Sequence, residues 1–83
     1  MQITITITEP IMNKSYDIQV DNRQRIKTTL RVLSENVQEL GYMQEALGVR
    51  IKSSGRQISD DDTYEDAGVY TGMELTVMMK KEG

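Results

Sequence analysis

Residues 1–41, MQITITITEPIMNKSYDIQVDNRQRIKTTLRVLSENVQELG, change their apolar period once, and that change decides the fold. From Met1 to Thr8 the alternation is strict: Ile3, Ile5 and Ile7 fall on one face, Gln2, Thr4, Thr6 and Thr8 on the other. Alternating β-branched side chains suit a pleated, half-buried strand. Glu9-Pro10 breaks the run, because proline has no amide hydrogen to give to a ladder, and Asn13-Lys14-Ser15 has turn chemistry. Tyr16, Ile18 and Val20 then alternate with Asp17 and Gln19, which predicts a hairpin. Beyond Val20 the period becomes helical: Ile26, Leu30, Leu33, Val37 and Leu40 form one stripe along a helix of about four turns. Asp21 or Asn22 is suited to cap its start, with Asp21 and Gln24 at capping-box spacing. Gly41 stands where a left-handed C-cap belongs.

The rest of the chain is shorter-ranged. Tyr42 to Leu47 reads as a loop or one helical turn. Val49-Arg50-Ile51-Lys52 alternates, Ser54-Gly55 is a tight turn, and Gln57-Ile58 pairs back as a brief strand. Asp60 to Gly72 is polar and punctuated by glycine, with Tyr64 and Val69 as inward pegs. Glu74 to Lys80 closes as a strand, Leu75, Val77 and Met79 on one face and Thr76 and Met78 on the other. The order β-β-α-β-β-β in one domain, residues 1–83, predicts an α+β fold. One helix lies across one face of a mixed sheet of four to five strands, as a right-handed crossover.

Composition excludes several chemistries. The chain holds no cysteine and no histidine. Zinc fingers, Cys/His or Ser-His-Asp nucleophiles and structural disulfides are therefore out of reach. Charged residues at 28%, a net charge of -3 and a pI near 4.8 predict a soluble protein without the basic face that nucleic acid requires. Hydrophobic residues at 37% leave material for a single layer of core. The longest apolar run, Val77-Met78-Met79, is far short of a membrane span, and the N-terminus lacks signal-peptide character. A cytoplasmic location is expected, with no cofactor and no direct membrane insertion.

The residues also resemble a family. Met1-Gln2-Ile3, Gly55-Arg56-Gln57-Ile58, Thr63-Tyr64-Glu65-Asp66 leading to Val69, and Gly72-Met73-Glu74-Leu75 follow one another as in the β-grasp fold of ubiquitin. With the Arg25-Ile26-Lys27-Thr28-Thr29-Leu30 helix start, the chain resembles more narrowly the YukD/EsaB group of ubiquitin-like proteins of bacterial type VII secretion. That resemblance implies a non-enzymatic protein-interaction module, a cytosolic accessory component docking on part of a membrane secretion complex; the chain is expected to be non-conjugating, and a monomer or weak dimer. The alternative is a carrier or modifier activated at its C-terminus, as ubiquitin and the sulfur carriers are. Lys80-Lys81-Glu82-Gly83, without the Gly-Gly that adenylation requires, speaks against it. The resemblance further places Lys52 where the central isoleucine of ubiquitin's recognition face would stand, so standard ubiquitin receptors are expected to bind poorly.

Two surfaces qualify as partner-binding sites. On the open sheet face, Thr4, Thr6, Arg50, Lys52, Thr76 and Met78 offer an adaptable apolar contact and steering charges; the plain reading is a solvated sheet face. At the helix start, Arg23, Arg25, Lys27 and Arg31 oppose the helix dipole and so serve something other than helix stability, such as an acidic partner. The plain reading there is solvated charge balanced by Glu35 and Glu39, with Arg31 and Glu35 paired. Asp60-Asp61-Asp62 lacks the alternating ligands of a calcium loop, and Asp66 is suited to cap the turn that follows. Met1 and Met79 are expected to point inward, and no catalytic or metal site is expected.

Overall fold

The computed structural model describes residues 1–37 and 46–79. The alternation of the first strand sets the layers. β1 (Gln2–Glu9) buries Ile3, Ile5 and Ile7 and turns its threonines outward. It pairs antiparallel with β2 (Lys14–Asp21), Ile5 opposite Ile18 and Thr6 opposite Asp17. Lys14 and Ser15 thus belong to the strand, and the turn is confined to residues 10–13, where Asn13 takes a left-handed φ of 55°. Asparagine is one of the few side chains that tolerates that conformation.

The helix α1 (Ile26–Asn36) has 11 residues, about three turns, one turn fewer than the stripe predicts. Val37 is already extended, with φ -117° and ψ 107°; Leu40, Gly41 and Glu39 lie outside the described residues. Its start also differs from expectation. Arg25 is the N-cap residue and makes no side-chain cap, while the Asp21 carboxylate accepts the Arg23 amide at 2.9 Å in the turn before the helix. The free amides of the first turn find carbonyl oxygens instead: Ile26 N–H donates to Asp62 at 2.9 Å and Lys27 N–H to Asp60 at 2.8 Å. Main chain from the far side of the sequence satisfies groups that a capping side chain ordinarily would.

β3 (Ala46–Ile51), β4 (Gln57–Ser59) and β5 (Glu74–Met79) complete a five-stranded mixed sheet in the order β2-β1-β5-β3-β4. β1 and β5 run parallel, with Thr6 opposite Glu74 and Thr8 opposite Thr76; β3 is antiparallel to both β5 and β4. Ile26 and Leu30 of the helix meet Ile3, Ile5, Val49, Leu75 and Val77 in one core, with Tyr64 and Val69 inserted from the segment between β4 and β5. Each fully buried aliphatic side chain contributes about 1.5–3 kcal/mol. Met1 does not join them: it is 76% exposed, its amino group 3.6 Å from the Asp21 carboxylate. The side chain of Met79 lies outside those described.

Candidate functional site

The pairing registers place the expected face residues on a common surface. Opposite the helix, β1 presents Thr4, Thr6 and Thr8; β5 presents Glu74, Thr76 and Met78; β3 presents Arg50, followed by Lys52. Arg50 pairs with Thr76 on one side and Gln57 on the other, at the middle of the open face. Met78 pairs with Gly48, which has no side chain to cover it, and β1 ends at Glu9 before reaching its level. Met78 is nevertheless half-buried, so it offers part of its flank.

Internal bonds take up several groups expected to be free. Thr6 Oγ1 donates to Asp17 Oδ1 at 2.6 Å, and Thr8 and Ser15 hydroxyls lie 3.0 Å apart. Lys52 Nζ sits 3.2 Å from Glu74 Oε2. Lys52 is therefore not the central cation of the face: it stands beyond the end of β3, its charge offset by Glu74, and Arg50 holds the middle position instead. Thr4 is exposed, its amide within 3.3 Å of Thr71 Oγ1. Among the described residues, what remains unengaged in the centre is Arg50, Thr76 and Met78.

The basic helix start is interleaved with acids. Lys27 Nζ is 2.9 Å from Asp61 Oδ1, and Arg23 Nε is 3.4 Å from Asp21 Oδ1. Hydrogen bonding to Lys27 holds the Asp61 carboxyl below its ordinary range; the Arg23 backbone amide, then its side chain, does the same for Asp21. The balancing acids are thus Asp21 and Asp61. Among the described residues Arg31 and Glu35 form no ion pair, and Arg25 and Arg31 are the cations of this group left without one. The same aspartate run that caps the helix through its carbonyls therefore also neutralises its first cation. The turn that follows is capped by Thr63, whose Oγ1 accepts the Asp66 amide at 3.0 Å; Asp66 is the donor, the reverse of the expected arrangement.

One buried polar group escaped the sequence reading. Glu9 is wholly buried, and its carboxylate accepts the Ile11 amide and, at 2.8 and 3.0 Å, the Met12 amide. The signal was present, because position 9 continues the inward parity of Ile3, Ile5 and Ile7. Among the described residues no cluster of acidic side chains is arranged to hold a metal ion, and no helix is long and apolar enough to cross a membrane.

Among the described residues, one helix packs on a five-stranded sheet in this strand order and the opposite face is open. The chain has the ubiquitin-like β-grasp fold. It is similar to a designed protein based on ubiquitin, at 21% identity and a TM-score of 0.76 over 99% of this chain and 93% of that one. The C-terminal ubiquitin-like domain of mouse tubulin-specific chaperone e superposes with a TM-score of 0.72 at 18% identity, covering 100% of this chain and 91% of the domain. Caldiarchaeum subterraneum ubiquitin gives 0.65 at 16% identity over 100% and 99%. No protein-family model and no curated protein matches the chain. Residues 80–83, on which the carrier alternative turns, lie outside the described residues.

Proposed function

We propose that this ubiquitin-like chain is a non-enzymatic docking module whose partner surface is the open sheet face, centred on Arg50, Thr76 and Met78 and bordered by Thr4, Thr6 and Lys52. Ubiquitin-like domains commonly act as protein-interaction modules. The observation that carries the reading is Arg50: an exposed guanidinium in the middle of the uncovered face, without an ion pair among the described residues, beside a thioether flanked by glycine. A planar cation next to a polarizable apolar contact suits a protein surface with a carboxylate at its centre. The basic helix start, Arg23, Arg25, Lys27 and Arg31, is the secondary docking patch, weakened by Asp21 and Asp61. The resemblance of the helix start to the YukD/EsaB group supports a bacterial, cytoplasmic accessory role, docking on the cytosolic part of a type VII secretion complex.

The test is a photoreactive residue in place of Met78 in cells, with an equivalent probe at Glu35 on the outer helix as control. Capture of a secretion-complex component from position 78 alone, lost on Arg50→Glu, is the expected result. Equal capture from both positions, or capture indifferent to Arg50, sinks the sheet-face reading.

A further inference from the structure

The two edges of the sheet are not equivalent. β4 has three residues, whereas β2 has eight and is outermost on its side. Among the described residues, the ladder shows which backbone groups β2 leaves unpaired. Asn22 N–H donates to the Met1 carbonyl at 2.9 Å, while Thr6 N–H donates to Met73 at 3.0 Å and Gly72 N–H to Thr4 at 2.9 Å. Odd residues of β1 thus face β2 and even ones face β5. By the antiparallel register, Tyr16, Ile18 and Val20 bond toward β1, leaving the main-chain groups of Ser15, Asp17 and Gln19 aimed out of the sheet, together with the Asp21 amide; the Asp21 carbonyl accepts the Gln24 amide at 2.9 Å.

Exposed edges are ordinarily blunted by proline, a bulge, an inward charge or a central lysine. β2 has no proline and an unbroken register, and its one lysine is its first residue. Beside the edge, a groove of about 310 Å³ opens between β2 and α1, lined by Ile18, Val20, Val32 and Leu33 with Gln24 and Thr29. Val32 is 45% exposed there.

We propose that this edge pairs antiparallel with the same edge of a second copy, about a two-fold axis through Ile18. The register follows from side-chain parity and charge. Axes between residues would set inward side chains against outward ones, so the axis must pass through a residue. Centring on Asp17 places two Asp17 carboxylates opposite each other. Centring on Gln19 places Asp17 opposite Asp21 of the other copy. Centring on Tyr16 leaves only residues 14–18 overlapping. Centring on Ile18 sets Asp17 against Gln19 and Ser15 against Asp21 on the outer face, and Ile18 against Ile18 and Tyr16 against Val20 on the inner face. It also makes Asp17–Gln19 a hydrogen-bonded pair, twice, while Ile18 meets its copy in the close, non-hydrogen-bonded geometry. The interface is isologous, closes at two copies, and extends the apolar groove across the axis.

The chain has no cysteine, so one introduced thiol reports position without ambiguity. In the facing pair the Cα atoms stand about 4.5 Å apart, inside the disulfide range. Oxidation of Ile18→Cys should give a covalent dimer at least about 10-fold faster than Ser59→Cys on the other edge, with circular dichroism confirming both folds. Sedimentation of the unmodified protein should show the mass rising from 9.5 kDa toward twice that as concentration climbs to about 1 mM, the range suited to a small interface. Two exposed substitutions fix the register without touching the core. Gln19→Asp opposes Asp17 twice and should weaken the dimer roughly 5-fold, and Gln19→Lys should strengthen it by a similar factor. A protein that remains monomeric, including one whose edge accepts an extended foreign peptide instead, overturns the proposal. So does a cysteine at 18 that couples no faster than one at 59, or a response to charge at 19 without opposite signs.

Discussion

The Tyr64 hydroxyl donates to Thr29 Oγ1 at 2.7 Å across 35 residues of sequence, and Gln24 Nε2 reaches the same oxygen at 3.0 Å. This contact ties the segment between β4 and β5 to the inner face of the helix, in a core where both residues are buried. A polar bond there persists because its groups answer one another; either alone would lose its water for nothing.

Burial pushes the Tyr64 phenol from 10.0 to about 12, with the Thr29 hydroxyl offsetting part of the rise. The raised folded value means the unfolded chain releases this proton first. The contribution is whole below pH 10 and is lost as pH climbs from about 10 to 12, amounting to about 2–3 kcal/mol. Tyr64→Phe should cost about 1 kcal/mol at pH 7 and flatten the alkaline loss relative to the parent. Urea unfolding at pH 7 and at intervals up to pH 11.5 measures both. Parallel alkaline slopes in the two proteins would show that Tyr64 is not the group responsible.

Gly48 allows two strands to meet. A Cβ at this position would collide with the Ile58 carbonyl oxygen, and its φ of +155° is one that other residues rarely adopt. Backbone rather than a yielding side chain receives the clash, so Gly48→Ala should cost at least about 3 kcal/mol or prevent folding. Thermal unfolding decides; a Gly48→Ala variant within about 1 kcal/mol of the parent would contradict the close approach.

Glu9 closes the first hairpin from within. Glu9→Ala strips the acceptor from the Ile11 and Met12 amides and should destabilise by about 1–3 kcal/mol, with faster hydrogen exchange at those two amides. Glu9→Gln retains one acceptor oxygen and should fall between. A loss of stability without a change in exchange at Ile11 and Met12 would assign the effect to packing.

The Asp61 carboxyl, lowered by Lys27, contributes stability that is present above its unfolded value and lost as pH falls below the ordinary aspartate range. Both partners are exposed, at 48% and 71%, so the effect on stability is small. Lys27→Ala should return the Asp61 titration toward 3.8 in an NMR experiment. A titration unmoved by that change would leave the charge of Arg25 as the cause.

Periodicity carried most of this architecture, for a physical reason: in β1 each side chain has one fate, core or solvent, and the sequence alternates accordingly. β2 carries the same alternation, yet only Val20 is fully buried, because an edge strand lacks cover for Tyr16 and Ile18. The helix boundaries were less legible. Asp21 and Gln24 have the spacing of a cap, but the actual acceptors are main-chain oxygens of Asp60 and Asp62, which no side-chain code announces. The face residues could be assigned to one side by parity alone. Which of them remain unpaired could not, since Lys52–Glu74 and Thr6–Asp17 depend on strand register.

The helix start borrowed its last two acceptors from residues 60 and 62, and this bears on the order of assembly. A fragment ending before residue 60 would hold the helical sequence with two amide hydrogens facing water and no acidic loop beside Lys27. Short helices are marginal in isolation, so this one should gain its full structure only when the second half of the chain arrives. The most local element of the domain is thereby made to wait for a distant one. Intermediates with the helix formed and the later strands absent should then be sparsely populated, in a chain that folds in a single cooperative step.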